Sequence, residues 1–260
     1  MTAATQSRIH QHFRRGLASY SADATVQAAV ARDLAARIAA VAPARGFARV
    51  FEFGCGTGFL TRELVARLRV GNWLINDLVP EAQRHVAPLF DLSAADWDFL
   101  PGPVEDLALP AGLDLIASAS TIQWVADTPA LLARLGASLA PGGWLALASY
   151  APRHFRELRG YGLAAGVMSY HDRDDWRAML PADLALHQIA GEEQVLHFAT
   201  PRAVLQHLRR TGVNGSASGR WSRRDLAAFE ADYARRCADG SGGVTLTYAP
   251  VHLLARKQAA

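Results

Sequence analysis

A glycine-rich turn directly after a short apolar segment constrains this chain more than any other feature. Residues Arg49–Phe53 precede Gly-Cys-Gly-Thr-Gly at positions 54–58, and leucine then recurs at every fourth position, at Leu60, Leu64 and Leu68. Alternate glycines let the backbone turn sharply and approach a ligand closely, because a Cβ would block both. The helix that follows offers unpaired N–H groups at its N-terminus. The pattern predicts a strand, a ligand-binding turn and a helix; the alternative is a tight turn that holds nothing.

The rest of the chain continues this alternation as far as residue 150. Helices are predicted at 23–41, after Pro80 and at 128–139, and strands at 72–76, 97–100, 113–117 and 144–150. Beyond residue 150 we predict a strand at 193–198, helices at 201–210 and 223–237, and a final strand at 244–254. Alternating strands and helices are typical of a parallel, doubly wound sheet. We therefore expect a Rossmann-like α/β fold with a mostly parallel seven-stranded sheet and helices on both faces.

The length and composition fit one domain. The chain has 260 residues, of which 50% are hydrophobic and 20% charged, as in a globular protein. We expect a single domain over 1–260, with a helical lid at 1–45 and an inserted cap at 151–192, where the alternation weakens. The sequence contains neither a long apolar run nor a signal peptide, so we expect a cytoplasmic protein without a membrane span. Cys55 and Cys237 lie far apart, which argues against a disulfide framework or a metal site.

Positive charge is concentrated in one stretch. Between Pro201 and Arg236, eight arginines face three acids, a local excess of +5 in a chain whose formal net charge is +3. The formal net charge of the whole chain is too small to indicate binding to nucleic acid. The local excess predicts an acidic partner or substrate.

The spacing of the glycines limits which nucleotide ligands are expected. A dinucleotide fingerprint is G-x-G-x-x-G, but here the spacing is G-x-G-x-G and Phe59 stands where the last glycine would be. Glu52, two residues before the turn, suits a cationic ligand better than a diphosphate, so NAD is the poorer hypothesis. S-adenosylmethionine carries a sulfonium and an ammonium. The turn resembles motif I of class I methyltransferases, and Asp77 stands where their ribose-binding acid ends the second strand; the alternative for Asp77 is an acidic helix cap.

Four further segments resemble one methyltransferase family. Residues Phe13–Tyr20, followed by Gln27, are similar to an F-x-R-x-A-x-x-Y segment, and Thr121–Trp124 to an L-Q-W segment. Leu208–Asn214 is similar to L-K/R-x-T-G-x-N, and Leu246–Tyr248 to L-T-Y. In this order the four segments resemble the malonyl-acyl-carrier protein O-methyltransferases of biotin synthesis.

The chain departs from that family near the predicted adenine site. The family usually has an Asp in a G-D-x-E segment, but this chain has Pro103 in Gly102–Glu105. The adenine contact is then expected from Glu105, a backbone group or water. Gly16 and Leu17 also depart from the alanine-rich form of the N-terminal segment.

The resemblance implies a set of site residues. The catalytic residues would be Tyr20, Gln123 and Trp124. The residues that bind the cofactor would be Glu52, Gly54, Cys55, Gly56, Thr57, Gly58, Asp77, Leu78, Val104, Glu105 and Ser120. The substrate contacts would be Arg15, Arg209, Arg210, Thr211, Asn214 and Tyr248. No metal is expected.

The resemblance implies methyl transfer from S-adenosylmethionine to the free carboxylate of malonyl-acyl carrier protein or malonyl-CoA. The ester would start the pimeloyl chain of biotin. A carboxylate is already ionised at neutral pH, so the reaction needs no general base. Two alternatives remain: a methyltransferase for another small acid or metabolite, and a non-catalytic nucleotide-binding module.

Overall fold

The computed structural model describes residues 24–91, 95–161, 168–211 and 221–259. Its helices are α1 (Thr25–Val41), α2 (Phe59–Arg67), α3 (Gln83–Val86), α4 (Thr128–Ser138), α5 (Arg173–Met179), α6 (Pro201–Arg210) and α7 (Arg223–Arg236). Its strands are β1 (Phe47–Phe53), β2 (Val70–Asp77), β3 (Asp96–Pro101), β4 (Leu113–Ala119), β5 (Leu139–Tyr150), β6 (Leu184–Ala190), β7 (Gln194–Phe198), β8 (Val244–Tyr248) and β9 (Pro250–Lys257). Short 3₁₀ turns flank α3 and follow β3, β4 and β5.

The main sheet has seven strands in the order β3-β2-β1-β4-β5-β9-β6. The first five are parallel, and β9 runs antiparallel to both β5 and β6. The predicted mostly parallel seven-stranded sheet is thereby confirmed. The strand order reverses between β1 and β4, and in open α/β sheets ligands bind in the crevice at such a switch point, beyond the carboxyl ends of the strands.

Helices cover both faces of the sheet. Successive residues of a strand point to opposite faces. Val50 thus packs in one core with Leu34 of α1, whereas Phe51 packs in the other with Leu132 of α4. Both faces being covered explains why the central strands are almost uniformly apolar rather than alternating.

The C-terminal strand prediction was wrong in one respect. The segment 244–254 forms two strands that belong to two sheets: β8 pairs with β7, and β9 enters the main sheet. The break falls at Ala249, and Pro250 is the first residue of β9. Proline has no N–H to donate to a continuing ladder, so it stands at the start of a strand rather than within one.

The segment 151–192, predicted as an inserted cap, contains a strand that the sequence analysis missed. Leu184–Ala190 forms β6 at the edge of the main sheet. Of the predicted lid at 1–45, α1 is described, and residues 1–23 lie outside the described part of the chain. Within the part of the chain that is described, the helices lack the length and apolar character needed to cross a bilayer.

Candidate active site

The three glycines of the turn have different neighbours. All have positive φ, 67° at Gly54, 54° at Gly56 and 81° at Gly58. A Cβ on Gly54 would lie 2.2 Å from Thr121 Oγ1, and one on Gly58 would lie 3.0 Å from a methyl carbon of Leu89. Among the described residues, a Cβ on Gly56 would meet nothing within 4 Å. Packing therefore excludes a side chain at Gly54 and crowds one at Gly58, whereas Gly56, at the carboxyl edge of the sheet, has space around it within the described part of the chain.

Asp77, at the end of β2, holds the turn in place. One carboxylate oxygen accepts from the backbone N–H of Gly56 at 2.7 Å, and the other accepts from that of Val79 at 2.8 Å. The N–H of Cys55 donates to the carbonyl of Asn76 at 3.0 Å. Cys55 itself is buried, and burial raises the pKa of its thiol well above the usual value, so it packs as a neutral group.

Glu52 is a buried acid directly beneath the turn. Its side chain is 1% exposed, and burial raises its pKa to about 8. Thr61 Oγ1 donates to Glu52 Oε1 at 3.1 Å. Within the described residues, Glu52 Oε2 and Thr57 Oγ1 are buried without a hydrogen-bond partner. A buried acid with one oxygen left unpaired is costly, and such groups concentrate at functional sites.

The loop after β3 carries the predicted adenine contacts. Val104 is buried and Glu105 is half-buried. Leu78, which directly follows β2, is also half-buried. Asn76 Nδ2 donates to the carbonyls of Leu100 at 2.7 Å and Gly102 at 2.8 Å. Arg134, from α4, donates to the carbonyls of Glu105 and Leu107.

Sequence reasoning missed both of these side chains. Asn76 carried a usable signal, because it is a polar residue at the end of an apolar strand, beside Asp77. Arg134 carried none: it is one of the chain's many arginines, and its target lies on a different element.

The segment after β4 lies beside the glycine turn. Thr121 Oγ1 donates to the carbonyl of Gly54 at 3.2 Å. Ser120 Oγ lies 3.0 Å from the hydroxyl of Tyr150. Gln123 is buried, and its amide nitrogen donates to the carbonyl of Ser120 at 2.8 Å. Trp124 is half-buried in the same turn. The predicted residues of this segment and those of the turn thus meet at one edge of the sheet.

The predicted substrate residues near the C-terminus are more dispersed. Thr211 is buried and donates to the carbonyl of His207 at 2.9 Å, where it ends α6. Tyr248 is fully buried, and its hydroxyl lies 2.7 Å from His207 Nε2. Arg209 and Arg210 are exposed in the last turn of α6. Arg15, Tyr20 and Asn214 lie outside the described residues.

Comparisons with known proteins agree with this geometry. A family of methyltransferase domains matches residues 24–213. The malonyl-acyl-carrier protein O-methyltransferase of Acinetobacter baylyi is 34% identical over 97% of this chain and 97% of its own length. The protein of the same name from Haemophilus influenzae is 32% identical over 98% and 96%.

Solved structures with low sequence identity share the fold. The N-methyltransferase NodS of Bradyrhizobium japonicum, solved with S-adenosylhomocysteine, is 15% identical, covers 96% of this chain and 98% of its own, and has a TM-score of 0.55. The cyclase SpnF is 17% identical, covers 88% and 80%, and has a TM-score of 0.58. A cyclase among these structures indicates that the fold alone does not fix the reaction. The close relatives do resolve the family, and the chain belongs to the malonyl-acyl-carrier protein O-methyltransferases.

Proposed function

We propose that this protein transfers a methyl group from S-adenosylmethionine to the free carboxylate of malonyl-acyl carrier protein or malonyl-CoA. The product would be the methyl ester that starts pimeloyl chain synthesis for biotin. The observation that carries the proposal is the 34% identity to the malonyl-acyl-carrier protein O-methyltransferase of Acinetobacter baylyi over 97% of both chains. The buried acid beneath the open glycine turn agrees with it.

The residues present fit S-adenosylmethionine. In the part of the chain that the structure describes, Glu52 Oε2, just before the turn, and Thr57 Oγ1, within it, are buried without a hydrogen-bond partner, and a Cβ on Gly56 would meet nothing within 4 Å. A sulfonium and an ammonium favour the ionised form of a nearby buried carboxyl. Glu52 and Asp77 would hold the polar groups of the cofactor, and Leu78, Val104 and Glu105 would line the adenine side.

When bound, S-adenosylmethionine would supply a methyl group activated by its sulfonium. The acceptor carboxylate is already ionised, so its in-line attack on the methyl carbon, with S-adenosylhomocysteine as the leaving group, would need no general base. The protein then has to align the two reactants and exclude water, which can contribute roughly 7–11 kcal/mol. Tyr20, Gln123 and Trp124 are the proposed aligning residues, with Arg15 beside the carboxylate. The predicted lid at 1–45 and cap at 151–192 would exclude water. The N–H of Ser169 in the cap donates to the carbonyl of Gln123 at 2.8 Å, which supports that role.

The carrier protein would dock on α6 and α7. Three acids of this region are engaged internally: Glu230 pairs with Arg202, Asp232 with Arg235 and Arg236, and Asp225 caps α7. The exposed residues Arg209, Arg210, Arg223 and Arg224 form what we call the basic face. Acyl carrier proteins are acidic, so this face would steer their approach. We expect this carrier, rather than nucleic acid or a membrane, to be the partner. We also expect the enzyme to be cytoplasmic.

A labelled-methyl assay tests the proposal. We expect transfer from S-adenosylmethionine to malonyl-carrier protein or malonyl-CoA, with little transfer to free malonate. The matched acceptors are acetyl- and succinyl-carrier protein: the first has no free carboxylate, and in the second an extra methylene displaces it. Methylation of the acetyl thioester, or equal rates with an unrelated metabolite, would contradict the proposed acceptor. Binding of S-adenosylmethionine without transfer to any of these acceptors would favour a non-catalytic module.

A further inference from the structure

Ser120 has a strained backbone immediately after β4. Its φ is +57°, a left-handed conformation that non-glycine residues rarely adopt. Such strain persists only where the surroundings enforce it, and it concentrates at functional sites. The surroundings here hold the backbone on both sides: the N–H of Ser120 donates to the carbonyl of Ala148 at 2.9 Å, and its carbonyl accepts from Gln123 Nε2 at 2.8 Å.

Tyr150, the last residue of β5, forms a hydrogen bond with the third polar group of Ser120, its side-chain hydroxyl. Its ring is buried, and the side chain of His154 stacks on it with centroids 4.0 Å apart. Burial raises the pKa of Tyr150 to about 12, so the hydroxyl keeps its proton. Among the described residues, that hydroxyl is hydrogen-bonded to Ser120 Oγ, and either atom could donate. Because a buried donor left unpaired is costly, we expect Tyr150 to donate to Ser120 Oγ, which leaves the hydrogen of the half-buried Ser120 hydroxyl available to another acceptor.

The position of Ser120 decides which ligand it serves. The proposed cofactor residues come from the ends of β1, β2 and β3, on one side of the switch point between β1 and β4. Ser120 and Tyr150 come from the ends of β4 and β5, on the other side. The methyl acceptor must approach from the side that the cofactor leaves open. Thr121, next to Ser120, contacts Gly54 of the turn, so the two sides meet at this point.

We propose that the Ser120 hydroxyl donates a hydrogen bond to the acceptor carboxylate, on the oxygen that does not attack, and that Tyr150 is a positioning residue that orients this hydroxyl. The proposal rests on the proposed function and assigns Ser120 to the acceptor rather than to the cofactor. Holding the second oxygen directs the first towards the methyl group, so the pair contributes alignment and not proton transfer.

Kinetics of three variants test the proposal, with Tyr233→Phe as a matched control. Tyr233 is equally buried, and its hydroxyl donates to the carbonyl of Thr245 at 2.7 Å, beneath α7 rather than at the ends of β4 and β5. We expect Ser120→Ala to lower kcat/KM for malonyl-carrier protein roughly 10- to 100-fold, the range for one hydrogen bond to a charged group. Tyr150→Phe should lower it by a smaller factor. The double variant should be no worse than Ser120→Ala, because Tyr150 acts through Ser120. The affinity for S-adenosylhomocysteine should be unchanged in all three.

Several outcomes would overturn the inference. They are full activity of Tyr150→Phe, multiplying losses in the double variant, weaker S-adenosylhomocysteine binding in Ser120→Ala, or an equal activity loss in Tyr233→Phe. A wild-type enzyme that turns over malonyl-carrier protein while Tyr150→Phe is fully active contradicts this inference alone. A wild-type enzyme inert on that substrate contradicts the proposed function as well.

Discussion

At the scale of single residues, the glycines of the turn differ in role: two are constrained by packing, and one leaves space for a ligand. A Cβ on Gly54 would collide with Thr121 and one on Gly58 would crowd Leu89, whereas one on Gly56 would meet none of the described residues within 4 Å. Substitution of the first two therefore tests the fold, and substitution of the third tests the site. Glu52 is the complementary case, because its burial costs stability in the free protein and its charge is useful only when a cation is present.

Gly56→Ala should lower the affinity for S-adenosylmethionine by about tenfold or more, since the new methyl group enters space that the ligand needs. The backbone strain itself costs roughly 1–2 kcal/mol. Gly112→Ala is the matched control: φ is +79°, its Cβ would also meet nothing within 4 Å, and it lies before β4, at the opposite edge of the sheet. Calorimetry should show a similar loss of stability in both variants but weaker binding only in Gly56→Ala. Equal affinity in the two would remove Gly56 from the binding site.

Glu52 should make both stability and binding depend on pH. Its pKa is about 8 in the folded protein against an ordinary value of 4.5. Between these values the unfolded chain has lost a proton that the folded chain keeps, so the stability of the free protein should fall as pH rises from about 4.5 to about 8. A cationic ligand favours the carboxylate, so binding below pH 8 should release a proton.

Glu52→Gln isolates this effect. The variant should flatten the decline in unfolding free energy between pH 4.5 and 8, and should weaken S-adenosylmethionine binding most at high pH. Denaturant titrations and calorimetry in buffers of different ionisation enthalpy measure the two quantities. An unchanged pH profile of stability would mean that Glu52 is not the buried acid responsible.

At the scale of elements, the loop after β3 is positioned from two sides. Asn76 holds its start from β2, and Arg134 holds its end from α4. Neither side chain belongs to the loop. The predicted adenine contacts at Val104 and Glu105 therefore depend on how a strand and a helix dock.

Arg134→Met should weaken cofactor binding several-fold with a small loss of stability, because the loop loses two backbone contacts while the apolar stem of the side chain is retained. Arg49→Met is the control, since Arg49 also donates to a carbonyl, that of Ala111 at 3.0 Å, at the opposite edge of the sheet. Isothermal titration should distinguish them. Equal cofactor affinity in both variants would contradict a role for Arg134 in the adenine loop.

At the scale of the whole molecule, positive charge is concentrated in the chain's C-terminal part. The three acids of this region all lie on α7: Glu230 and Asp232 form ion pairs with arginines, and Asp225 takes part in the capping box. The four arginines of the basic face are exposed, so we expect the region to present positive charge to a partner. An electrostatic encounter surface needs no close fit, which is why it can be separated experimentally from the active site.

Arg209→Glu combined with Arg210→Glu should raise KM for malonyl-carrier protein and reduce the dependence of that KM on salt, with cofactor affinity unchanged. Arg45→Glu combined with Arg69→Glu changes the net charge equally, at exposed positions before β1 and β2, and should leave the KM near the wild-type value. Carrier kinetics at low and high ionic strength measure both. Salt-independent kinetics in the wild type would argue against docking on the basic face.

The sequence by itself determined the local features. The glycine spacing, the acid before it and the alternation of strands and helices are encoded over a few residues each, through backbone preference and side-chain periodicity. Those signals were sufficient to predict the parallel sheet and the turn, whereas the methyltransferase family was predicted from the resemblance of the turn and of four further segments to known sequences.

The tertiary structure decided which distant groups meet. It placed β6 at the sheet edge, divided 244–254 between two sheets, used Thr211 to end α6, and brought Tyr150 to Ser120 and Arg134 to the adenine loop. A hydrogen bond between residues far apart in the chain depends on the docking of whole elements. The periodicity of either segment alone cannot specify that docking.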